Sequence, residues 1–279
     1  MIVVMRMGAP MSSVEGAVKR IEDLGGQAHV SRGTERTIIG VIGDQRTLNP
    51  QTLEALADVE KVVPILHPFK LASRDFKPER TVISIGDVTI GGDEIVIMAG
   101  PCAVESREQL WEAAQAVKEA GARILRGGAF KPRTSPYSFQ GLGFEGLRLL
   151  REVADELGML VVTEVISPEM VPLVAEYADI LQVGTRNMSN QSLLRAVGQA
   201  QRPVLLKRGM MATIEEFLMA AEYTLTYDTY QVMLCERGIR TFGTFTRNTL
   251  DINAVPALHE LSHLPEIVDP SHSTGKAFL

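Results

Sequence analysis

The feature that most constrains this chain is a repeated alternation of short apolar strands with amphipathic helices from Glu94 onward. Continuous apolar strands indicate burial on both faces, and helices between them indicate parallel crossover connections. The seven predicted strands are 95–98, 124–125, 160–163, 180–183, 204–206, 232–234 and 266–268. Helix start signals, such as the capping boxes at Ser106 and Thr213, support six intervening helices. The pattern predicts an α/β fold, a (β/α)8 TIM barrel with seven of its eight strands present.

The predicted barrel is C-terminally truncated. A typical barrel takes about 250 residues, whereas the alternating segment from Glu94 to Leu279 is much shorter. We therefore expect apolar edges on the first and seventh strands, and poor stability of the isolated chain. An alternative interpretation is that the sequence is a fragment of a longer gene product.

A small domain is predicted before the barrel. Residues 1–66 show the order strand, helix, strand, strand, helix, strand, which is that of a ferredoxin-like module. Residues 67–80, rich in Lys, Arg and Pro, are predicted to be a linker. A barrel domain, incomplete at its C-terminus, is predicted over 81–279, and it opens with a hairpin that turns at Gly86-Asp87.

Composition excludes several classes of function. The 279-residue chain has a formal net charge of −6, which argues against general affinity for nucleic acid or acidic membranes. It contains no apolar run of about 18 residues and no recognisable targeting peptide, so no membrane span is expected. Its two cysteines, Cys102 and Cys235, lie far apart, which favours a reduced, cytoplasmic protein.

Basic side chains follow the ends of most predicted barrel strands. Because barrel active sites lie at the carboxyl ends of the strands, these groups are expected to share one pocket. Concentrated cations need anions, and the planar guanidinium suits carboxylate and phosphate oxygens. For any single residue, pairing with an acid of a neighbouring loop stays open as the alternative. The residues are Arg126, Lys131, Arg133, Arg186, Lys207, Arg208, Arg237 and Arg240.

Cys102 and His272 follow the first and seventh strands, which become near neighbours when a barrel closes. A thiolate and an imidazole are borderline-soft ligands, so the pair is interpreted as half of a metal site. The alternatives are a buried small Cys and a merely hydrogen-bonded His. Cys235 is interpreted as a packing residue.

Five segments resemble the signature blocks of the 3-deoxy-7-phosphoheptulonate (DAHP) synthases. They are 99–106, 125–137, 206–209, 235–238 and 269–273. The Lys-Pro-Arg-Thr-Ser segment at 131–135 separates them from the sister 3-deoxy-octulosonate 8-phosphate synthases, and the small domain resembles the regulatory domain of the type Iβ branch. The resemblance implies a transferase that condenses phosphoenolpyruvate with erythrose 4-phosphate and water, in the shikimate pathway of aromatic amino acid biosynthesis.

The resemblance also implies two groups of substrate-binding residues. The phosphoenolpyruvate carboxylate is expected on Arg126, Lys131 and Lys207, with the phosphate on Arg186 and Arg237. The erythrose 4-phosphate phosphate is expected on Arg133, Thr134 and Ser135. Asp269 is placed among the substrate-binding residues as well. Lys131 and Glu164 are hypothesised to transfer protons, with an ion-pair role as the alternative for Glu164.

A metal and a regulatory ligand are implied by the same resemblance. Cys102 and His272 are expected to bind a divalent ion of the Mn, Fe, Co or Zn class, with two further ligands, a Glu and an Asp, beyond Leu279. His29 and Ser31, on the second strand of the small domain, resemble the tyrosine-binding residues of a feedback-inhibited enzyme. The alternative is an ordinary surface pair. Inhibition by tyrosine or phenylalanine and a homotetramer are expected.

Two other functions stay open. One is a 3-deoxy-octulosonate 8-phosphate synthase, which uses a five-carbon aldose phosphate. The other is a non-catalytic, truncated subunit that binds an amino acid through its small domain. An assay of both aldose phosphates separates the two enzymes. Absence of metal-dependent turnover, with retained binding of an aromatic amino acid, would favour the non-catalytic subunit.

Overall fold

The structure is a computed structural model that describes residues 1–33, 36–43, 48–63, 67–132, 135, 137–227, 229–276 and 278. It divides into two compact units. The first comprises Met1–Arg80 with Ala257–His263, and the second comprises Thr81–Pro256 with Leu264–Leu279. Within the described ranges, no helix is long and apolar enough to cross a membrane.

The first unit contains a four-stranded antiparallel sheet. Its strands are β1 (Ile2–Met5), β2 (Gln27–Arg32), β3 (Thr37–Ile42) and β4 (Val59–Val63), and its helices are α1 (Met11–Asp23) and α2 (Pro50–Glu54). The spatial order β2-β3-β1-β4 confirms the predicted ferredoxin-like module. The last strand begins at Val59, directly after Asp58, whose φ of 59° makes the turn before it.

The core of the first unit follows from the alternation of its strands. Val3 and Met5 of β1 face the same side as Val14 and Ile21 of α1, and all four are buried. On the opposite face, a Cβ added to Gly40 would lie 2.6 Å from a ring carbon of Phe76. The segment that follows β4 therefore covers part of this face, so the sheet is buried on both sides there.

The second unit contains a short hairpin and a curled parallel sheet. The hairpin joins β5 (Ile83–Ile85) to β6 (Val88–Ile90), as predicted at Gly86-Asp87. The sheet follows chain order through seven strands of the described residues, which confirms the predicted parallel α/β architecture. The strands are β7 (Met98–Ala99), β8 (Ile124–Arg126), β9 (Leu160–Val165), β10 (Ile180–Val183), β11 (Val204–Lys207), β12 (Val232–Glu236) and β13 (Glu266–Val268).

Helices connect these strands. The capping box predicted at Thr213 is formed, with Thr213 and Glu216 bonded to each other's backbone N–H groups. At Ser106 the hydroxyl accepts from Gln109 N, whereas the Gln109 side chain bonds Glu105 N instead of completing the box. The helices are α3 (Arg107–Glu119), α4 (Phe144–Leu157), α5 (Val171–Tyr177), α6 (Gln191–Gln199), α7 (Ile214–Leu225), α8 (Ala254–Leu261) and α9 (Ser271–Thr274).

The inner face of the curled sheet has two layers. Ile124, Val162, Ile180, Leu205 and Met233 form an apolar layer with the hairpin. Side chains two residues apart on a strand share a face, so the next inward positions lie one layer closer to the carboxyl ends. Those positions are Arg126, Glu164, Gln182, Lys207 and Cys235. The two-residue period of the strands thus places polar side chains on the carboxyl-end side of the apolar layer.

Candidate active site

A cavity of about 330 Å³ lies at the carboxyl ends of the parallel strands. It contains nine of the residues that the sequence predicted for the site: Cys102, Arg126, Lys131, Ser135, Glu164, Arg186, Lys207, Arg237 and His272. Together with Arg247 it gathers six cationic side chains from the described part of the chain. The predicted convergence of strand-end cations is therefore observed, although the role of each residue stays a prediction.

Arg126 and Lys131 form one wall of the cavity. Arg126 Nη1 donates to the Pro101 carbonyl at 3.4 Å, and its Nη2 lies 3.5 Å from His272 Nε2. A Cβ at Gly128 would lie 2.9 Å from the Cys102 carbonyl oxygen and 2.4 Å from Lys131 Nζ, so glycine at this position leaves room for the lysine. Burial lowers the pKa of Lys131, and repulsion from Arg126 adds to that shift. The lysine is therefore a stronger acid than a lysine in water.

Glu164 places a carboxylate among the cationic side chains that line the cavity. Burial raises its pKa, and attraction to Lys131 and Lys207 opposes that shift. Gly184 leaves room for it, since a Cβ at that position would lie 1.9 Å from Glu164 Oε1. A raised pKa makes Glu164 a better proton acceptor than a carboxylate in water, while its surroundings also suit an ion-pair role.

Asp269 connects a lysine to a histidine. Its Oδ2 accepts from Lys207 Nζ at 2.5 Å and lies 2.7 Å from His272 Nδ1. Burial on its own would raise the pKa of Asp269, but the His272 bond and the Lys207 charge outweigh it and hold that pKa well below the usual range. The carboxylate therefore stays ionised and fixes both partners, and its predicted contact with substrate stays a prediction.

The two cysteines have opposite properties. The hydrogen bond with His272, opposed by burial and assisted by the charges of Lys131 and Arg126, lowers the pKa of Cys102 to about 6. Burial raises the pKa of Cys235 to about 12. At neutral pH Cys102 is therefore largely a thiolate, while Cys235 is a protonated residue that packs in the core.

Cys102 and His272 fit the chemistry of a metal site. A thiolate and an imidazole suit borderline metals such as Zn²⁺ or Fe²⁺. Asp269 occupies His272 Nδ1, which leaves Nε2 as the nitrogen directed at Arg126 and the cavity. A carboxylate on the second imidazole nitrogen is the usual support of a metal-binding histidine. No group of three or more His, Cys, Asp or Glu suited to a metal occurs among the described residues, so this pair accounts for two ligands.

Arg186 and Arg237 form another part of the wall. Arg186 lies in the short 3-10 turn Thr185–Asn187 that follows β10. Arg237 directly follows β12, and its Nη2 donates to the His272 carbonyl at 3.2 Å. Burial lowers the pKa of Arg237. Both arginines reach the cavity from the ends of β10 and β12, the two strands that flank β11, as expected for residues that hold one anion together.

Arg247 is a cavity residue that the sequence did not predict. It lies in the loop between β12 and α8, far in sequence from any strand end. The prediction that site residues directly follow the strands therefore does not include it. Its side chain passes over Gly275, where a Cβ would lie 2.6 Å from Arg247 Cβ. No carboxylate of the described residues pairs with its guanidinium, so this charge is available to an anion in the cavity.

The remaining predicted residues lie elsewhere. Arg133 and Thr134 fall outside the described residues, whereas their neighbour Ser135 lines the cavity. His29 and Ser31 belong to β2 of the first unit, where His29 is buried. Ser31 lines a separate cavity of that unit.

Comparison with known protein families also divides the chain into a small N-terminal domain and a larger domain. The profile of the DAHP synthetase I family matches residues 70–277, and that of the DAHP synthase ferredoxin-like domain matches residues 1–67. The chain belongs to the DAHP synthetase I family. The family is generally metal-dependent, and membership identifies the chain as an enzyme that forms carbon–carbon bonds.

Individual members of the family show how far the likeness extends. Phospho-2-dehydro-3-deoxyheptonate aldolase of Thermotoga maritima is 55% identical over 276 residues, which are 99% of this chain and 82% of the relative. The crystal structure of that DAHP synthase has 54% identity and a TM-score of 0.75, and the match covers all of this chain and 82% of the other. A 2-dehydro-3-deoxyphosphooctonate aldolase of Geobacter sulfurreducens is 32% identical over 68% of this chain and 72% of its own length.

Proposed function

We propose that this chain condenses phosphoenolpyruvate with D-erythrose 4-phosphate and water to give DAHP and inorganic phosphate. The observation that carries the proposal is the convergence of six cationic side chains in one cavity at the strand ends. Both substrates carry phosphate and one also carries a carboxylate, so the pocket must offset several negative charges. The higher identity to a heptonate aldolase than to the octonate aldolases supports erythrose 4-phosphate as the second substrate.

The proposed binding of phosphoenolpyruvate divides the cations into two sets. Arg126, Lys131 and Lys207 take the carboxylate, and Arg186 with Arg237 takes the phosphate. Lys131, Lys207 and Arg237 are buried and Arg126 is partly buried, which supports strong contacts because charge-assisted bonds gain strength when water is excluded. Arg186 is exposed. Asp269 limits the freedom of Lys207 by its own bond to Nζ.

The phosphate of erythrose 4-phosphate is proposed to bind at the segment 133–135. Ser135 lines the cavity and supports this location. Arg247, with no carboxylate partner in the described part of the chain, supplies further positive charge to the same cavity. Holding two anions side by side replaces a repelling encounter with a fixed geometry, which is a large part of the proposed rate enhancement.

The reaction forms one carbon–carbon bond and breaks one carbon–oxygen bond. C3 of phosphoenolpyruvate attacks the aldehyde carbon, water adds at C2, and the phosphate oxygen leaves C2 as the keto group forms. The aldehyde oxygen gains one proton, and the water loses two. One of these two offsets the proton that the aldehyde oxygen gains, and the other leaves with the phosphate. We assign the first transfer to Lys131, whose lowered pKa favours donation, and the second to Glu164, whose raised pKa favours acceptance.

Cys102 and His272 are the proposed metal ligands in this chain. A divalent ion of the Mn, Fe, Co or Zn class bound there would act as a Lewis acid on the aldehyde oxygen. The thiolate character of Cys102 and the support of His272 by Asp269 favour binding. The same two contacts hold both side chains at the cavity wall.

The first unit is proposed to be regulatory, with tyrosine or phenylalanine as the inhibitor and with His29 and Ser31 in its site. Ser31 lines a cavity of about 280 Å³, with apolar Ile2, Val4, Ile38 and Val63 beside Arg36, Lys61, Asp75 and Glu79. Apolar contacts next to charges of both signs suit an amino acid zwitterion. The domain bounds 1–66 and 81–279, a homotetramer and a cytoplasmic location are proposed from the sequence and the family resemblance.

The test is a two-substrate assay with matched variants. The purified chain, stripped of metal and reloaded with Mn²⁺, is given phosphoenolpyruvate with either erythrose 4-phosphate or arabinose 5-phosphate. We expect phosphate release and a seven-carbon product with the first aldose only. Arg186→Gln is expected to lower kcat/KM for phosphoenolpyruvate by about 100-fold, because a charge-assisted contact with its phosphate is lost. Arg148→Gln, on the exposed face of α4, serves as the control and is expected to change neither constant.

Other outcomes support the alternatives. Turnover with arabinose 5-phosphate alone identifies an octulosonate phosphate synthase and contradicts the proposal. Absence of turnover with either aldose, together with retained tyrosine or phenylalanine binding, identifies a non-catalytic subunit.

A further inference from the structure

We propose that Glu236 and Arg208, with Asp251, form a clamp that positions Arg237 in the cavity. The inference rests on the proposed function, in which Arg237 binds the phosphate of phosphoenolpyruvate. None of the three clamp residues lines the cavity. They act on the reaction through the backbone on either side of Arg237, so they are positioning residues.

The first contact joins the Glu236 carboxylate to the backbone N–H of Gly238, two residues later in the chain. Glu236 Oε1 accepts from Gly238 N at 2.6 Å, so the carboxylate bridges the turn in which Arg237 is the middle residue. The Glu236 carbonyl accepts from Asp269 N at 2.8 Å, which ties the same turn to the end of β13. The backbone of Arg237 is therefore fixed on both sides.

The second contact holds the carboxylate itself. Arg208 Nη1 lies 2.8 Å from Glu236 Oε2 and 2.9 Å from Asp251 Oδ2. Arg208 Nε donates to the Ala212 carbonyl at 3.0 Å. The side chains of Arg208 and Glu236 are only 6% and 2% exposed. The guanidinium thus ties Glu236 to the loop after β11 and to the segment before α8.

Close packing removes the remaining freedom of the turn. Gly238 has a φ of +98°, and a Cβ there would lie 3.0 Å from both Asn248 Cβ and Ser273 Cβ. Arg237 itself donates through Nη2 to the His272 carbonyl. A shift of the Gly238 peptide would therefore change the direction of the Arg237 side chain relative to His272 and the cavity.

The energetics of burial indicate that the Arg208–Glu236 ion pair contributes more to the positioning of Arg237 than to stability. Burying two charges carries a desolvation penalty that their attraction often fails to exceed, and apolar replacements of similar volume are often neutral. The hydrogen bonds of this ion pair with the backbone of Gly238 and Ala212 are directional, however, and an apolar pair cannot supply them. The strand-end position of Arg208 suggested an anion-binding cation, but its observed partners are the two acids.

A second ion pair of the same design provides a matched control. Asp179 Oδ2 accepts from Arg151 Nη1 at 2.8 Å and from Val161 N at 2.7 Å. This carboxylate also joins a guanidinium to a backbone N–H. It lies at the amino end of β10, whereas the cavity lies at the carboxyl ends.

The experiment compares R208M/E236M with R151M/D179L in the full chain. Both variants remove an ion pair and leave one backbone N–H without its acceptor, so both are expected to lower the melting temperature. Only R208M/E236M is expected to raise the KM for phosphoenolpyruvate, by about tenfold, with a smaller change in kcat, because a charge-assisted contact is misplaced. R208M/E236Q restores an acceptor for Gly238 N without the contacts of Arg208, so it is expected to recover part of that loss.

Equal KM values in R208M/E236M and R151M/D179L would overturn the clamp, as would a failure of the Gln variant to recover. A chain without turnover in its unaltered form contradicts the proposed function instead. Amide hydrogen exchange then tests the clamp without turnover. The Gly238 N–H of the unaltered chain is expected to exchange about 1,000-fold more slowly than an unstructured peptide, since its acceptor is buried. Exchange at the unprotected rate would refute the clamp.

Discussion

His272 contacts both a thiol and a carboxylate, and it lowers the pKa of each. Cys102 reaches a pKa of about 6 through that hydrogen bond, whereas Cys235, which burial dominates, has a pKa of about 12. The two residues have the same side chain, so their surroundings alone set the difference. The sequence suggested it only indirectly, through the positions of Cys102 and His272 at the ends of the first and last strands.

The state of Cys102 predicts how fast it is alkylated. In chelator-treated protein, the rate with iodoacetamide is expected to rise through a midpoint near pH 6, because the thiolate is the reacting form. His272→Ala removes the hydrogen bond and is expected to move the midpoint upward by about two pH units, toward that of an ordinary cysteine. The measurement is the mass increase at Cys102 against time, from pH 5 to pH 10.

Cys235 supplies the internal control for this titration. It is 1% exposed, so it is expected to stay unmodified until the chain unfolds. A Cys102 midpoint near pH 9 in the unaltered protein, or one that His272→Ala leaves in place, would contradict the assigned hydrogen bond.

At the scale of elements, the space for a side chain on the inner face of the sheet depends on the backbone that follows the neighbouring strand. Glu164 lies on β9, and the chain directly after β10 passes so close to it that a Cβ at Gly184 would have to displace the Glu164 carboxylate. The φ of Gly184, −72°, is one that any residue adopts. The requirement for glycine here is therefore steric and comes from the Glu164 carboxylate.

Gly184→Ala is expected to displace that carboxylate. We expect a loss of about 1–3 kcal/mol in the free energy of unfolding, as for other overpacked sites, together with a lower kcat. Gly16→Ala is the control, because it lies in α1 with open space around it. It is expected to raise stability by about 0.5–1 kcal/mol. Urea unfolding and steady-state kinetics of both variants check this, and an unchanged kcat in Gly184→Ala would contradict it.

The elements show which parts of the site a sequence can predict. Strand period and capping residues place Arg126, Glu164 and Lys207 on one face at one end of the sheet, because these depend on local spacing. The contact of Asp269 with Lys207 joins the ends of β13 and β11, which lie far apart in the chain, so it was not predictable. Arg247 was missed for the same reason, since its place in the cavity comes from the path of a long loop.

At the scale of the whole molecule, the two units are not consecutive in the chain. Residues 257–263 belong with 1–80, although most of the parallel sheet lies between them in sequence. Two contacts show this directly. His263 Nε2 lies 2.7 Å from the Leu71 carbonyl, and Arg74 Nη2 donates to the Ser262 carbonyl at 2.8 Å. The first unit therefore requires a segment that the chain supplies late.

The buried His263 predicts how the stability of this unit depends on pH. Burial lowers the pKa of His263 to about 4, with a smaller opposing effect of its bond to Leu71. The native state keeps the imidazole neutral, whereas the unfolded chain binds a proton below about pH 6.5. Stability from this group is therefore complete above pH 6.5 and falls as the pH drops toward 4. The linkage amounts to about 3 kcal/mol over that window.

Urea unfolding between pH 7 and pH 4, with and without His263→Gln, measures this contribution. The Gln variant can still donate to the Leu71 carbonyl but does not titrate, so its unfolding midpoint is expected to fall much less with acid. His67→Gln serves as the control, because His67 belongs to the same unit and stacks on Phe69, and it should keep the acid dependence of the unaltered chain. Asp269 does not interfere in this window, since its lowered pKa makes its own contribution disappear only at more acid pH. Equal acid dependence in His263→Gln and the unaltered chain would show that the imidazole is not buried in its neutral form, and would contradict the contact of His263 with the Leu71 carbonyl.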